Sequence, residues 1–183
     1  MEMIVLGALE FSSIAIGIKS LDEMVKIAPI KIIDARTLCP GKYLIVFSGD
    51  VASVEYSFKK GCEIGEKFII DRLYLPKVHQ NVVPAIGNIL QTDEWNSIGI
   101  IETNSVISSL EAADEAAKIG NVKIIEIRLA IGFGGKSYVK LMGTLDEVQV
   151  AVEAGSAKAK AKGLFCMDTI IPQPHEEIKP FFM

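Results

Sequence analysis

The feature that most constrains the fold is an internal repeat that runs through the whole chain of 183 residues. The matches keep their order from end to end, and the offset grows from 92 to 94 and then 96 residues at two short slips near presumed loops. A repeat of this length indicates a tandem duplication. The matched pairs, in chain order, are Gly7–Glu10 with Gly99–Glu102, Arg36 with Arg128, Gly41-Lys42 with Gly135-Lys136, and Pro76 with Pro172.

The duplication predicts two domains, residues 1–91 and 97–183, joined between Gln91 and Asn96. Within each half, β-branched runs and helical patterns alternate in the order β-α-β-β-α-β. Four strands with two helices on one face form a ferredoxin-like sandwich, so the fold class is α/β (α+β). That fold carries many functions and therefore decides none of them.

The first predicted helix has an apolar row at spacings of four and three residues. Ile14, Ile18, Leu21, Val25 and Ala28 form this row, and Ser12 or Ser13 precedes it as a candidate N-cap. The spacing predicts that the row is the buried face of the helix. A short helix is also predicted around Val82 to Ile89, after the last strand of the first repeat.

Composition narrows the classes of partner. The mean hydropathy of +0.35 is high for a monomer and predicts apolar subunit interfaces. No run of 18 apolar residues is present, so a membrane span is not expected. With a net charge of -4 and no basic cluster, nucleic acid is not expected as a partner either.

The three cysteines are Cys39, Cys62 and Cys166, too few and too widely spaced for a disulfide framework. Cys39 stands in a predicted turn with Pro40 and Gly41, whereas the other two fall on predicted core elements. One cysteine per chain is a weak metal signal, because iron–sulfur sites usually take four thiolates. From the residues alone, Cys39 is a small buried side chain, a thiol lining a symmetric opening, or a metal ligand. A nucleophile would need a nearby base, and neither histidine is close in sequence.

A glycine-rich stretch runs from Gly132 through Phe133, Gly134 and Gly135 to Lys136. It lacks the spacing of a phosphate-binding loop, and a strand rather than a helix is predicted to follow. We therefore predict a tight turn between strands.

Several of these motifs together resemble one family. Gly7–Glu10 opens a strand, Asp22–Lys26 lies late in the first helix, and the Pro-x-x-His pattern occurs at Pro76–His79 and again at Pro172–His175. These motifs resemble bacterial microcompartment shell domains, and both halves match. The resemblance implies a non-enzymatic shell component in the cytoplasm. It also implies a pseudo-hexameric homotrimer that tiles edge to edge with other shell proteins.

Within the tandem class, Thr37–Lys42 and Ala130–Lys136 resemble the iron–sulfur-binding shell proteins of propanediol-utilisation microcompartments. The resemblance implies a [4Fe-4S] cluster held by Cys39 from three subunits, for electron transfer across the shell or for cluster delivery. Lumenal redox enzymes then become candidate partners. The alternative is a structural tile whose pore passes metabolites without a cluster. The implied pore residues are Cys39, Pro40, Gly41, Gly132, Phe133, Gly134 and Gly135.

The resemblance also implies which residues lie at the tile edge. In the family an arginine commonly follows the proline of the Pro-x-x-His motif, but this chain has Lys77 and Gln173 there, so its edge contacts are expected to differ. The implied edge residues are Lys26, Lys118, Lys77, His79, Gln173 and His175.

Overall fold

The computed structural model describes residues 5–132 and 134–182. They form two compact units, each built on a four-stranded antiparallel sheet. The first unit extends to Val78 and includes the loop around Gly132 and Gly135. The second unit comprises the remainder of the described chain from His79 onward. Among the described residues, no helix is both long enough and apolar enough to cross a membrane.

The predicted β-α-β-β-α-β order is confirmed in both repeats. The first contains β1 (Val5–Phe11), α1 (Ile14–Ile27), β2 (Lys31–Leu38), β3 (Lys42–Gly49), α2 (Val51–Gly65) and β4 (Ile69–Leu75). The second contains β5 (Ser97–Thr103), α3 (Val106–Gly120), β6 (Lys123–Arg128), β7 (Ser137–Gly143), α4 (Leu145–Ala161) and β8 (Phe165–Ile171), followed by α5 (Lys179–Phe182). The strand orders β2-β3-β1-β4 and β6-β7-β5-β8 are those of a ferredoxin-like sandwich.

The two sheets repeat each other in detail. Gly7 lies opposite Phe47, and the equivalent Gly99 lies opposite Leu141. A Cβ added at Gly7 would be 2.4 Å from the Phe47 ring, so the glycine leaves room for the cross-strand side chain. Ser13 and Ser105, also equivalent, cap α1 and α3 by accepting a backbone N–H. The structure thus reproduces the offsets read from the sequence.

The helices α3 and α4 approach each other closely where glycines remove side chains. A Cβ added at Gly155 would lie 2.7 Å from the carbonyl oxygen of Ala112 and 2.7 Å from Cδ1 of Ile101. At Gly120 it would lie 2.4 Å from Cβ of Ala151. Because backbone atoms are among these neighbours, the contact cannot be relieved by rotating one side chain.

Gly155→Ala is therefore expected to destabilise the second unit by about 1–3 kcal/mol through overpacking. Gly49→Ala is the matched control, because a Cβ there would meet Val54 at 3.4 Å, an ordinary contact. Urea denaturation at one protein concentration should give a lower midpoint for the first variant and a nearly unchanged midpoint for the second. Equal midpoints for the two variants would contradict the close approach of α3 and α4.

The predicted buried face of α1 is wrong for Ile14, Ile18 and Val25, which are exposed, whereas Leu21 is partly buried and packs against the core of the first unit. The residues of α1 that are buried are Gly17, Ser20 and Met24, whereas Ile18 is half exposed. A Cβ at Gly17 would be 2.6 Å from the Tyr43 ring, so small residues bring this side of α1 close to the sheet. Hydrophobic spacing located an apolar row correctly but could not show which side of the helix faces the sheet.

The helix predicted at Val82 to Ile89 is also corrected. Only Val83–Ala85 forms a 3-10 turn, and a positive φ of 68° at Gly87 is incompatible with its continuation. The following residues instead pair with the outer edge of β6. Gly87 N–H donates to the carbonyl of Ile127 at 3.0 Å, and Leu90 N–H donates to that of Ile125 at 2.8 Å. The end of the first repeat thus lies on the second unit, and the bounds 1–91 and 97–183 stay a prediction.

Candidate metal and pore site

The site begins at the turn between β2 and β3. Leu38 ends β2 and Lys42 begins β3, so Cys39, Pro40 and Gly41 alone form the connection. Gly41 adopts a φ of +81°, and its N–H donates to the carbonyl of Leu38 at 3.0 Å. The Cys39–Pro40 peptide is cis. This tight turn leaves the Cys39 thiol half-buried rather than enclosed in the core.

The glycine-rich loop of the second repeat lies against this turn, inside the first unit. The N–H of Gly132 donates to Cys39 Sγ at 3.4 Å. A Cβ at Gly135 would lie 3.2 Å from the Cys39 carbonyl oxygen and 3.2 Å from Cδ of Pro40. The structure therefore brings together two segments 93 residues apart that sequence analysis assigned to one pore.

The loop depends on glycine for its shape. Gly132, Gly134 and Gly135 have φ values of 80°, 61° and 90°, a region that side chains rarely adopt. A Cβ at Gly132 or Gly134 would meet no atom within 4 Å, so both face open space. Phe133, one of the implied pore residues, lies outside the described residues.

A buried ion pair beside the site was missed by sequence analysis. Lys42 Nζ lies 2.8 Å from Oε1 of Glu10, whose side chain is 0% exposed. A Cβ at Gly135 would be 3.8 Å from the same Nζ, which places the ammonium beside the loop. The signal was present, because Glu10 and Lys42 recur as Glu102 and Lys136 in the repeat. That second pair also has a distance of 2.8 Å but is largely exposed.

Cys39 and its surroundings provide part of what an iron–sulfur cluster requires, namely a thiolate ligand and a hydrogen bond to its sulfur. Such clusters are bound by thiolates and tuned by hydrogen bonds to sulfur, and Cys39 offers an accessible thiol with an N–H donor at its sulfur. Burial raises the pKa of the Cys62 and Cys166 thiols, which disfavours their thiolate forms.

The described part of a single chain does not supply enough ligands to hold a metal ion. Within residues 5–132 and 134–182, no three His, Cys, Asp or Glu side chains of one chain converge as a metal site. The residues at Cys39 therefore fit a cluster only if several chains share it.

The residues assigned to the tile edge fall into different settings. Lys26 is 61% exposed and forms ion pairs with Asp22 and Glu23 on its own helix. The equivalent Lys118 pairs with Asp114, which is 4% exposed and also accepts the N–H of His79 at 2.7 Å. Asp114 thus brings Lys118 and His79 together in the second unit.

The remaining edge residues lie on turns after the last strand of each repeat. Lys77 and Gln173 are exposed. His79 Nδ1 accepts the N–H of Asn81 and His175 Nδ1 accepts that of Glu177, both at 3.3 Å, so each histidine stabilises its own turn. Their role at a tile edge stays a prediction.

The chain belongs to a known family. The BMC domain model matches residues 5–78 and again residues 97–174, which together cover most of the sequence. The two matches correspond to the two repeats and their sheets. The chain is thus a tandem BMC-domain protein of the bacterial microcompartment shell, and shell proteins of this family are structural rather than enzymatic.

Individual relatives agree with this assignment. The chain is 38% identical over 173 residues to the bacterial microcompartment shell protein PduT of Citrobacter freundii, covering 94% of each chain. A crystal structure of a microcompartments protein from Desulfitobacterium hafniense matches with a TM-score of 0.88 and 39% identity, covering 98% of this chain and 99% of that one. EutM of Escherichia coli is 30% identical over 86 residues, which make up 47% of this chain and 87% of EutM. Half of this chain therefore matches nearly the whole of EutM.

Proposed function

We propose that this chain is a shell tile that forms homotrimers, and that Cys39 from three subunits holds one [4Fe-4S] cluster at a central pore. The observation that carries the proposal is the half-buried Cys39 thiol, which accepts the N–H of Gly132 at a junction of loops from both repeats. The relative named PduT and the motif Thr37–Lys42 support the same proposal.

The trimer is proposed because the chain already carries two of the family's domains. Three copies supply six domains, the number that a pseudo-hexameric tile needs. A three-fold axis beside the turn of Cys39–Gly41 would also multiply a single thiol into three. The three Cys39 thiolates, one from each chain, would then hold the cluster.

The chain's own groups have defined tasks at this site. The Gly132 N–H donates toward the Cys39 sulfur, and such hydrogen bonds help to set a cluster's potential. Lys42 places a cation beside the loop while Glu10 fixes its position. When bound, the cluster supplies one-electron redox chemistry.

Two roles fit a cluster in this place. Electrons would pass between the lumen and the outside, with lumenal redox enzymes as partners, or clusters would be delivered to those enzymes. In either role the tile joins other shell proteins edge to edge, through residues that include Lys26, Lys118, Lys77 and Gln173.

Cys39→Ser tests the cluster. Protein purified without oxygen should contain close to four irons per trimer, and its electron paramagnetic resonance spectrum should change on reduction with dithionite. The variant is expected to lose the iron and the signal while the trimer persists. Cys166→Ser is the control and is expected to keep both, because Cys166 lies in β8, outside the turn.

The alternative function predicts a different result. A wild-type trimer without iron, with Cys39→Ser unchanged in every respect, would contradict the cluster. The chain would then be a structural tile with a metabolite pore.

A further inference from the structure

We propose that Glu10 and Lys42 set the reduction potential of the cluster, because their buried charges lie beside the turn that carries Cys39. The inference rests on the proposed function and adds the residues that tune its redox chemistry. A cluster's potential depends on hydrogen bonds to its sulfurs and on solvent exposure. Fixed charges nearby act on it as well, through Coulomb's law.

The two charges are held beside the turn by the strands of the first sheet. Lys42 is the first residue of β3 and directly follows Gly41 of the turn. Glu10, on the neighbouring β1, lies opposite Leu44, which is two residues beyond Lys42. Since residues two apart in a strand face the same side, Glu10 and Lys42 share one face of the sheet. Their charged atoms are 2.8 Å apart.

The ammonium is the charge that lies nearer to the glycine-rich loop. A Cβ built on Gly135 would have the Cys39 carbonyl oxygen at 3.2 Å and Lys42 Nζ at 3.8 Å among its three nearest atoms. No atom of Glu10 is among those three. Gly135 therefore has the Cys39 backbone and the Lys42 cation as common neighbours.

Burial allows these charges to act over a longer distance. The side chains of Glu10 and Lys42 are 0% and 15% exposed, so dissolved salt screens them little. Asp71, 7% exposed, lies opposite Glu10 in β4 and adds a second carboxylate on this face. In the second repeat Met167 occupies the position of Asp71, and Glu102 is 36% exposed. The buried form of the arrangement thus belongs to the repeat that carries the candidate ligand.

The sign of each charge predicts the direction of its effect. Reduction adds an electron, so a neighbouring cation stabilises the reduced cluster and a neighbouring carboxylate stabilises the oxidised one. Loss of the Lys42 cation should therefore lower the potential, and loss of the Glu10 charge should raise it. A three-fold axis would repeat the pair around one cluster, so that each substitution changes three charges at once.

A redox titration of the trimer purified without oxygen, followed by electron paramagnetic resonance, tests the inference. At a fixed potential, Glu10→Gln should raise the ratio of reduced to oxidised cluster at least about tenfold, a shift of about 59 mV for a one-electron couple. Lys42→Met should lower the ratio by a similar factor. Both shifts should persist at high salt, because the charges are buried.

The matched control is Glu55→Gln on α2, which removes a carboxylate that is 49% exposed and paired with Lys59. The helix begins after the end of β3 that is remote from the Cys39 turn, so the ratio should stay unchanged. Glu10→Gln is the deciding variant, because glutamine keeps an oxygen that accepts from Lys42, whereas Lys42→Met is expected to be less stable.

The outcomes separate this inference from the proposed cluster. Unchanged ratios in both variants, shifts of the same sign, or an equal shift in Glu55→Gln would overturn the tuning role and leave the cluster in place. Loss of iron from a Glu10→Gln trimer would also overturn it, since Glu10 would then hold the cluster rather than tune it. A wild-type trimer without iron contradicts the proposed function and this inference together.

Discussion

We expect Lys42→Met to lower the free energy of unfolding by about 3 kcal/mol, because the substitution removes the cation beside a buried carboxylate. Glu10 is 0% exposed and its carboxylate lies 2.8 Å from Lys42 Nζ. Methionine preserves most of the side-chain volume but removes the ammonium, so the carboxylate stays buried without its cation. Urea denaturation should show a lower midpoint, and hydrogen exchange should show faster exchange of amides in β1 and β3.

The repeat provides the control for this prediction. Lys136→Met breaks the equivalent pair with Glu102, but both of those side chains are substantially exposed and water replaces the lost partner. Its effect on the midpoint should be much smaller. If both substitutions lowered the midpoint equally, burial of Glu10 would not be the cause.

Asp114→Ala is the second substitution with a large expected effect, about 2–3 kcal/mol. The Asp114 carboxylate is 4% exposed, accepts the His79 N–H at 2.7 Å and pairs with Lys118. Removal of the carboxylate leaves the His79 N–H and the Lys118 ammonium without this acceptor. The segment after His79 loses an anchor on α3, so hydrogen exchange at Val82, Gly87 and Leu90 should accelerate more than exchange in α4.

Asp22→Ala is the matched control, because Asp22 occupies the equivalent position of the first repeat. Its side chain is 58% exposed and pairs only with Lys26 in the described contacts. Stability and exchange should be nearly unchanged, as is usual for an exposed ion pair on a helix. If the amides of the segment after His79 stayed equally protected from hydrogen exchange in Asp114→Ala, Asp114 would not be the anchor of that segment.

Most of the fold could be predicted from the sequence because the chain contains the same pattern twice. A strand pattern seen at Gly7 is more reliable when it recurs at Gly99, and the turn at Cys39 was located because β-branched runs border it on both sides.

Apolar spacing failed at α1 for a physical reason. Ile14, Ile18 and Val25 form a real apolar row, but the row is open in the single chain, and spacing does not distinguish a core from a subunit interface.

The candidate site was only partly predictable. Glycines and a cysteine in turns can be recognised locally, but the hydrogen bond from Gly132 to Cys39 joins residues 93 positions apart. The Glu10–Lys42 pair was missed because each residue alone resembles an ordinary surface charge. The large effect expected from breaking this pair comes from its burial, which cannot be read from the sequence.

Native mass spectrometry of protein purified without oxygen tests the central claim most directly, because it reports the subunit number and the bound cluster together. The expected species is three chains plus the mass of one [4Fe-4S] cluster, and this added mass should be absent from the Cys39→Ser trimer. A monomer, a trimer of bare chains, or one cluster on each chain would contradict a cluster shared around a three-fold axis.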